Sequence, residues 1–366
     1  MEHKSQKLFI IAGEDSGDLH ASELIKSIKI INSNIQFLGH GGNRMKSQGM
    51  KIIEHISNLS VMGFSEVVYH LPRLISIRNN TVERIKKEKP VGIILVDYPG
   101  FNLSIAKKLK KIGIPIFYFI LPQVWAWKEG RIKILKNSGI YLLSIIPFEK
   151  SWFLSKGLEV KYVGHPFSKQ INKSKKIKLK NNNKIILLLP GSRQQEIKKH
   201  LPIFLNVIKK IKNEYPEVQF LLGKSEYINL PKLPKYIVIV DEPQKVMSTS
   251  TAGIVSSGTA TLECAVRNLP IVVCYKTSTI SWLIIKFLSK IKYISIVNLI
   301  LNKPAVVELL QSKMTEKNIY NNIIPLMDKQ SKKRENILKN YKLLNSLLGK
   351  KDTYNESAQY ILNKIN

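Results

Sequence analysis

Three stretches of the chain combine residue types able to do chemistry. Between Lys184 and Arg193 (KIILLLPGSR) an unbroken apolar run, Ile185 to Leu189, stops at Pro190-Gly191-Ser192-Arg193 before a polar, helix-like continuation from Gln194. The run is short enough for a strand buried on both faces, so the stretch reads as strand, tight turn and helix. Such a turn aims backbone N–H groups and the positive end of a helix dipole at one point, and Arg193 adds a rigid fork of donors, the arrangement a phosphate needs. A second strand and glycine turn follow at Ile254-Val255 and Ser256-Ser257-Gly258-Thr259-Ala260-Thr261-Leu262-Glu263. There Ser257 or Thr259 is placed to cap a helix, an anion can sit on the exposed N–H groups, and Glu263, about one turn in, can accept both hydroxyls of a ribose.

The third stretch has a different chemistry. Val91 to Val96 reads as a buried strand that ends in Asp97-Tyr98-Pro99-Gly100-Phe101-Asn102. Polar residues at the carboxyl end of a parallel strand face the crevice where α/β proteins bind ligands, which makes Asp97 the leading general-base candidate; capping the next helix is the competing role. Upstream, Leu8 to Ala12 leads into Gly13-Glu14-Asp15-Ser16-Gly17-Asp18-Leu19-His20. Three acids in that turn would repel a pyrophosphate, so it suits sugar hydroxyls or the orientation of a base, with Glu14, Asp18 and His20 as reserves; Ser16 and Asp18 are equally suited to capping the helix.

These turns must be held by a framework, and the chain supplies one. Strand-like runs at 8–12, 35–38, 91–96, 114–120, 142–146 and 160–163 alternate with helical stretches, and the alternation resumes at 185–189, 201–211, 218–222 and 236–240. That pattern predicts an α/β fold with two doubly wound domains, 1–171 and 184–345, joined by a Lys- and Asn-rich linker at 172–184. Val61, Phe64, Val68, Leu71 and Ile75 recur at helical spacing and form one broad apolar face, with Met62 beside it, interrupted by Pro72. Pro72 predicts a break or two short helices, and the face fits either the core or a lipid surface. Trp125 and Trp127, beside Pro122, are expected to pack a loop.

Composition sets the outer limits. The chain has 366 residues, 44% hydrophobic and 23% charged, which is globular in character and long enough for two cores. Its net charge of +32 admits nucleic acid, anionic membrane or anionic substrates as partners, but lysine is spread along the whole chain instead of clustering with aromatics. A nucleic-acid partner is therefore not expected. Cys264 and Cys274 lie in apolar surroundings without ligand spacing and read as free core thiols in a reducing compartment. The first apolar run is too short for a signal peptide, which argues against secretion, and Lys286, Lys290 and Lys292 interrupt the apolar stretch 280–301, making it a poor spanning helix.

Taken in order, the motifs resemble those of the lipid-A-disaccharide synthases, inverting glycosyltransferases of the two-domain B fold. The resemblance rests on residues 13–18, Val61-Met62-Gly63-Phe64 with Glu66, residues 97–102, Pro122 to Trp127, Pro147-Phe148-Glu149, Gly164-His165-Pro166, Leu189 to Arg193, Ser257 to Glu263, Asn298-Leu299 and Glu308-Leu309-Leu310-Gln311. It implies two Rossmann-like domains facing across a cleft, with residues from 346 onward returning to the first. It further implies that UDP-2,3-diacylglucosamine donates its sugar to 2,3-diacylglucosamine 1-phosphate, giving a β-1,6 disaccharide and UDP; no Asp-x-Asp pair or His cluster in the sequence suggests a metal, and no cofactor is expected. On that likeness the second domain holds UDP, with Gly191, Ser192, Arg193, Ser257, Gly258, Thr259, Glu263, Asn298, Glu308 and Gln311 on the donor side. The first domain holds the acyl acceptor, and Val61, Met62, Phe64, Val68 and Leu71 meet the inner face of an anionic inner membrane from the cytoplasm. Gly100 departs from the family pattern, which often carries an acid there, and leaves Asp97 to act as base. Oligomeric state stays open, a homodimer included, and a UDP-N-acetylglucosamine epimerase or another glycosyltransferase of the same fold is the nearest rival.

Overall fold

In a computed structural model, residues 6–59, 64–127, 129–170, 184–224, 228–288 and 291–365 are described. Apolar runs become parallel strands, each followed by a helix. The order is β1 (Lys7–Ala12), α1 (Asp15–Ile31), β2 (Gln36–Gly41), α2 (Asn43–Ser47), β3 (Lys51–His55), α3 (Phe64–Glu88), β4 (Gly92–Val96), α4 (Pro99–Leu109), β5 (Ile116–Phe119), α5 (Arg131–Asn137), β6 (Tyr141–Ser144), α6 (Glu149–Ser155) and β7 (Val160–Tyr162). A second series follows: β8 (Ile185–Leu189), α7 (Gln194–Glu214), β9 (Gln219–Gly223), β10 (Ile237–Val240), β11 (Ala252–Ser256), α8 (Thr259–Val266), β12 (Ile271–Tyr275), α9 (Thr279–Leu288), α10 (Ile296–Leu301), β13 (Val307–Leu310), α11 (Glu316–Met327), α12 (Lys332–Leu348) and α13 (Thr353–Ile365).

The chain divides into two units, Met1–Pro166 with Lys350–Asn366, and Phe167–Gly349. Among the described residues the first carries a seven-stranded parallel sheet in the order β3-β2-β1-β4-β5-β6-β7, the second a six-stranded sheet in the order β10-β9-β8-β11-β12-β13. Both are doubly wound. In each, the strand order reverses once, between β1 and β4 and between β8 and β11, and at such a reversal the two flanking loops part to leave a ligand crevice. The central strands explain themselves: Leu8, Phe9, Ile10 and Ile11 of β1 and Ile186, Leu187 and Leu188 of β8 are wholly buried, as strands covered by helices on both faces must be. In the first unit the core behind β1 and β4 also takes in Phe101, Tyr118 and Phe153.

One expectation changes, and strands that were not expected are added. Residues 64–88 form one continuous helix with Pro72 inside it, so the missing N–H is tolerated without a break. The strands Lys51–His55, Ile271–Tyr275 and Val307–Leu310 complete the sheets, although none was expected from the apolar pattern. The linker expected at 172–184 falls almost wholly outside the described residues. Near the C-terminus, α12 ends at Gly349, whose left-handed φ of 70° turns the chain, and α13 then packs on α1.

Candidate active site

At the reversal in the first unit, Ala12 of β1 is in register with Val96 of β4, so Gly13-Glu14 lies beside Asp97-Tyr98. The Tyr98 ring covers the β1 turn so closely that a Cβ on Gly13 would stand 2.2 Å from it, and the Tyr98 hydroxyl donates to Leu59 O at 2.6 Å. Asp97 and Tyr98 both adopt left-handed backbone, φ 45° and 47°, a conformation that costs free energy for non-glycine residues. The surroundings hold it: Asp97 N–H donates to Phe119 O at 3.1 Å, and Asp97 O accepts from the Tyr118 hydroxyl at 2.7 Å and from Asn102 Nδ2 at 2.8 Å. Burial pushes the Asp97 carboxyl up to about 6; the neighbouring Glu14 charge adds to the rise, and a backbone hydrogen bond at Tyr98 opposes it. Asp97 makes no side-chain cap to α4, which begins at Pro99. A carboxylate poised near neutral pH in a crevice is equipped to take a proton. Gly100 leaves the space beside it empty, since a Cβ there would meet nothing within 4 Å.

The reserves fare unequally. Glu14 is exposed next to Asp97. Asp18 does not belong to the acid–base set: it is 1% exposed, with Oδ1 accepting from Gly42 N–H (2.7 Å) and Met45 N–H (3.1 Å) and Oδ2 from Arg44 N–H (3.1 Å). Those three bonds fasten α1 to the start of α2, so Asp18 is a structural anchor. His20 Nδ1 is 2.9 Å from the Tyr354 hydroxyl on α13, and burial lowers its pKa to about 4. Trp125 packs as expected, 8% exposed, and donates through Nε1 to Glu149 Oε1 at 2.9 Å; Ser144 Oγ donates to the other oxygen at 2.5 Å. Burial raises the Glu149 carboxyl to about 7. Trp127 departs from the packing expectation: it is 46% exposed, with the Arg131 guanidinium 5.7 Å from its ring.

The reversal in the second unit has the opposite character. Leu189 of β8 is in register with Val255 of β11, so the turns carrying Arg193 and Gly258 lie side by side at the carboxyl end of the sheet. Gly191 sits at φ 133°, which favours glycine, and a Cβ there would stand 2.5 Å from Glu196 Oε2. That oxygen accepts from Ser192 N–H (3.0 Å) and Arg193 N–H (3.3 Å), so the expectation of free N–H groups in this turn is corrected: α7 caps itself through Glu196. The β8 turn presents the exposed Arg193 side chain. Its charge reaches Tyr275 at the end of β12, whose phenol is raised mainly by burial, further by Glu196, and lowered by Arg193.

Around Gly258 the N–H groups are differently placed. Neither Ser257 nor Thr259 caps α8: Gly258 is its N-cap residue and no side chain accepts there, while Ser257 Oγ faces Ile294 O at 3.4 Å. A Cβ on Gly258 would meet nothing within 4 Å, so the positive end of α8 opens on free space. Glu263 is pushed up by burial and pairs with Arg267 at 3.3 Å. Asn298 and Glu308 are bound internally. Glu308 accepts from Ile294 N–H (3.0 Å), Ser295 N–H (2.9 Å) and Asn298 Nδ2 (2.8 Å), and Asn298, 1% exposed, exchanges two bonds with Val306. They shape the loop before α10. Gln311, at φ 50°, turns its amide to the Thr277 backbone, nitrogen to O at 3.3 Å and oxygen to N–H at 3.2 Å.

His200 escaped the sequence reading. It is fully buried on α7, with Nδ1 2.9 Å from Pro190 O and 3.1 Å from Ser256 Oγ, and Nε2 accepting from Lys276 N–H at 2.9 Å. One imidazole thus joins the loops after β8 and β12 to the end of β11. Burial holds it below the usual histidine range, which keeps Nε2 free to accept.

Of the expected lipid-facing residues, Val61 and Met62 lie outside the described residues, as do the side chains of Phe64 and Val68. Leu71 and Ile75 are 47% and 40% exposed, whereas Leu74 and Ile77 pack on the core. No described helix is long and apolar enough to cross a membrane.

Comparison with known proteins agrees with this geometry. A family model described as Lipid-A-disaccharide synthetase matches residues 8–364. The lipid-A-disaccharide synthase of Myxococcus xanthus is 33% identical over 328 residues, 86% of each chain, and that of Coxiella burnetii 33% over 340 residues, 90% of each. Among solved structures, the glycotransferase of kitacinnamycin superposes with a TM-score of 0.69 at 11% identity over 99% of this chain and 100% of its own. The UDP-GlcNAc 2-epimerase of Neisseria meningitidis, bound to UDP-GlcNAc, gives 0.64 at 12% identity over 98% and 99%. Those likenesses establish the glycosyltransferase B fold, which transferases and epimerases share. Matched from its first strand to its last helix, the chain belongs to the lipid-A-disaccharide synthetase family.

Proposed function

We propose that the protein transfers the sugar of UDP-2,3-diacylglucosamine to the 6-hydroxyl of 2,3-diacylglucosamine 1-phosphate, inverting the anomeric centre and releasing UDP. The observation that carries the reading is the pairing of Arg193 with the uncapped start of α8 after adjacent strands at the carboxyl end of one sheet, inside a chain of this family. The second unit takes the donor: the Arg193 fork and the α8 dipole face the diphosphate, and Glu263 at the next helical turn takes the ribose. Negative charge grows on the diphosphate as the glycosidic bond breaks, and fixed donors stabilise that charge without reorganising.

The first unit takes the acceptor. Asp97 removes the proton of the attacking hydroxyl as the new C–O bond forms on the face opposite the departing UDP, a single displacement with one base. Burial, with repulsion from Glu14 added to it, keeps that base near neutrality. Leu71, Ile75 and the basic surface place the unit against an anionic inner membrane, from which both acylated substrates come.

Purified protein given both acylated sugars in mixed micelles should release UDP and form a disaccharide in equal amounts, also in the presence of EDTA. Conversion of unacylated UDP-N-acetylglucosamine to its 2-epimer, without disaccharide, would instead assign the epimerase activity of its structural neighbour.

A further inference from the structure

Helix α9, Thr279–Leu288, leaves two large apolar side chains that no described residue covers to any great extent. Phe287 is 90% exposed, the most exposed large hydrophobic of the described residues, and Leu283 is 59% exposed. They are four residues apart and so share one face of the helix. Burying such a pair in apolar surroundings is favourable, and leaving it in water forgoes that gain. The charges on the helix and in the segments next to it in sequence have one sign. From Lys276 to Lys292 the sequence contains no Asp or Glu, while Lys276, Lys286, Lys290 and Lys292 fall within it. Lys286 and Lys292 are exposed on α9 and just beyond it. Exposed apolar residues set among cations match an anionic lipid surface, which offers hydrocarbon below a layer of negative headgroups.

Position adds to this match. α9 starts four residues after β12 ends, so it leaves the same carboxyl end of the sheet that carries Arg193 and Gly258. A donor gripped there by its diphosphate has acyl chains that must remain in lipid. We infer that α9 is the second unit's own footing on an anionic bilayer, with Leu283 and Phe287 entering the acyl boundary and Lys286 and Lys292 meeting the headgroups. The inference deepens the proposed function and rests on it for the source of the donor; α3 serves the first unit in the same way.

The test is co-sedimentation of the full chain with phosphatidylethanolamine–phosphatidylglycerol vesicles and with neutral phosphatidylcholine vesicles. It is run in a Leu71→Ser, Ile75→Ser background so that α3 does not mask the result. Adding Leu283→Ser and Phe287→Ser should lower partitioning onto the anionic vesicles by about tenfold or more. Lys286→Gln with Lys292→Gln should lower it by roughly fivefold per charge on anionic vesicles and leave neutral ones unaffected. Melting temperatures should not move, because these side chains are exposed. Unchanged partitioning of the apolar variant overturns the inference. So does a fall in oligomeric mass with vesicle binding intact, which would show that a second copy of the chain covers this face. UDP release by the parent protein in micelles is scored separately, and its absence would remove the glycosyltransfer reading while leaving the vesicle comparison standing.

Discussion

The two reversal points of the molecule share a backbone plan and differ in charge. In the first unit, Asp97 and Glu14 stand together at the ends of β4 and β1, and burial and repulsion raise the Asp97 carboxyl to about 6. At the corresponding place in the second unit the nearby carboxylates have partners: Glu196 holds Ser192 and Arg193 N–H, Glu263 holds Arg267, and Glu308 holds the loop before α10. Beside them stand the exposed Arg193 guanidinium and the uncapped start of α8. On the proposed reading, one doubly wound sheet ends in a proton acceptor and the other in an anion receptor. The fold supplies the crevice, and local pairing of carboxylates decides its chemistry.

This contrast can be broken one group at a time. The largest effect is expected for Asp97→Asn, which should lower kcat by roughly two to four decades and leave the affinity for UDP unchanged. Arg193→Ala should lower turnover by about two to three decades, now with weakened UDP binding. Either variant with near-parental turnover removes that residue from the site. His200→Gln should raise the donor KM about tenfold while the acceptor KM stays constant, because loosening the three joined segments misplaces the receptor and not the base. A parallel change in both constants would make His200 a general stabiliser.

Two smaller effects concern pH. Since Asp97 must be ionised to act, kcat/KM should rise through an apparent pKa near 6 and level off above it. Glu14→Gln removes the repelling charge, so this limb should move to lower pH; a limb that stays in place excludes Glu14 as its cause. Stability should run the other way. The folded state holds the Asp97 proton more tightly than the unfolded chain does, so its contribution is fully present below the unfolded pKa and is lost as pH rises through the folded value near 6. Asp97→Asn avoids that loss and should be more stable than the parent at about pH 8, by on the order of 2 kcal/mol, with a smaller gain at about pH 4. Chemical denaturation at the two pH values measures it.

The sheets were legible where burial on both faces writes a continuous apolar run, as in Leu8 to Ile11 or Ile185 to Leu189. Lys51–His55 and Val307–Leu310 were not, because these outer strands mix exposed and half-buried positions and lose that signature; Ile271–Tyr275 carries it in full and is the exception, a buried apolar run not expected as a strand. Candidate ligand turns could be read from glycine, serine and arginine at strand ends. Which of their groups are already occupied could not be read, since that depends on partners distant in sequence: Asp18 meets N–H groups more than twenty residues away, and His200 meets Lys276 across 76. Glu196, only three residues past Arg193, is a local exception: as the acid of a capping box it occupies N–H groups that the glycine and arginine of the turn alone would leave free.

The division of labour between the two reversal points is tested most directly by calorimetric titration of UDP into the full-length protein and two variants. Arg193→Ala should weaken UDP by at least about tenfold, whereas Asp97→Asn should bind it as the parent does. Equal affinity in all three proteins, or a loss with Asp97→Asn as large as that with Arg193→Ala, would contradict the placement of the anion receptor in the second unit alone.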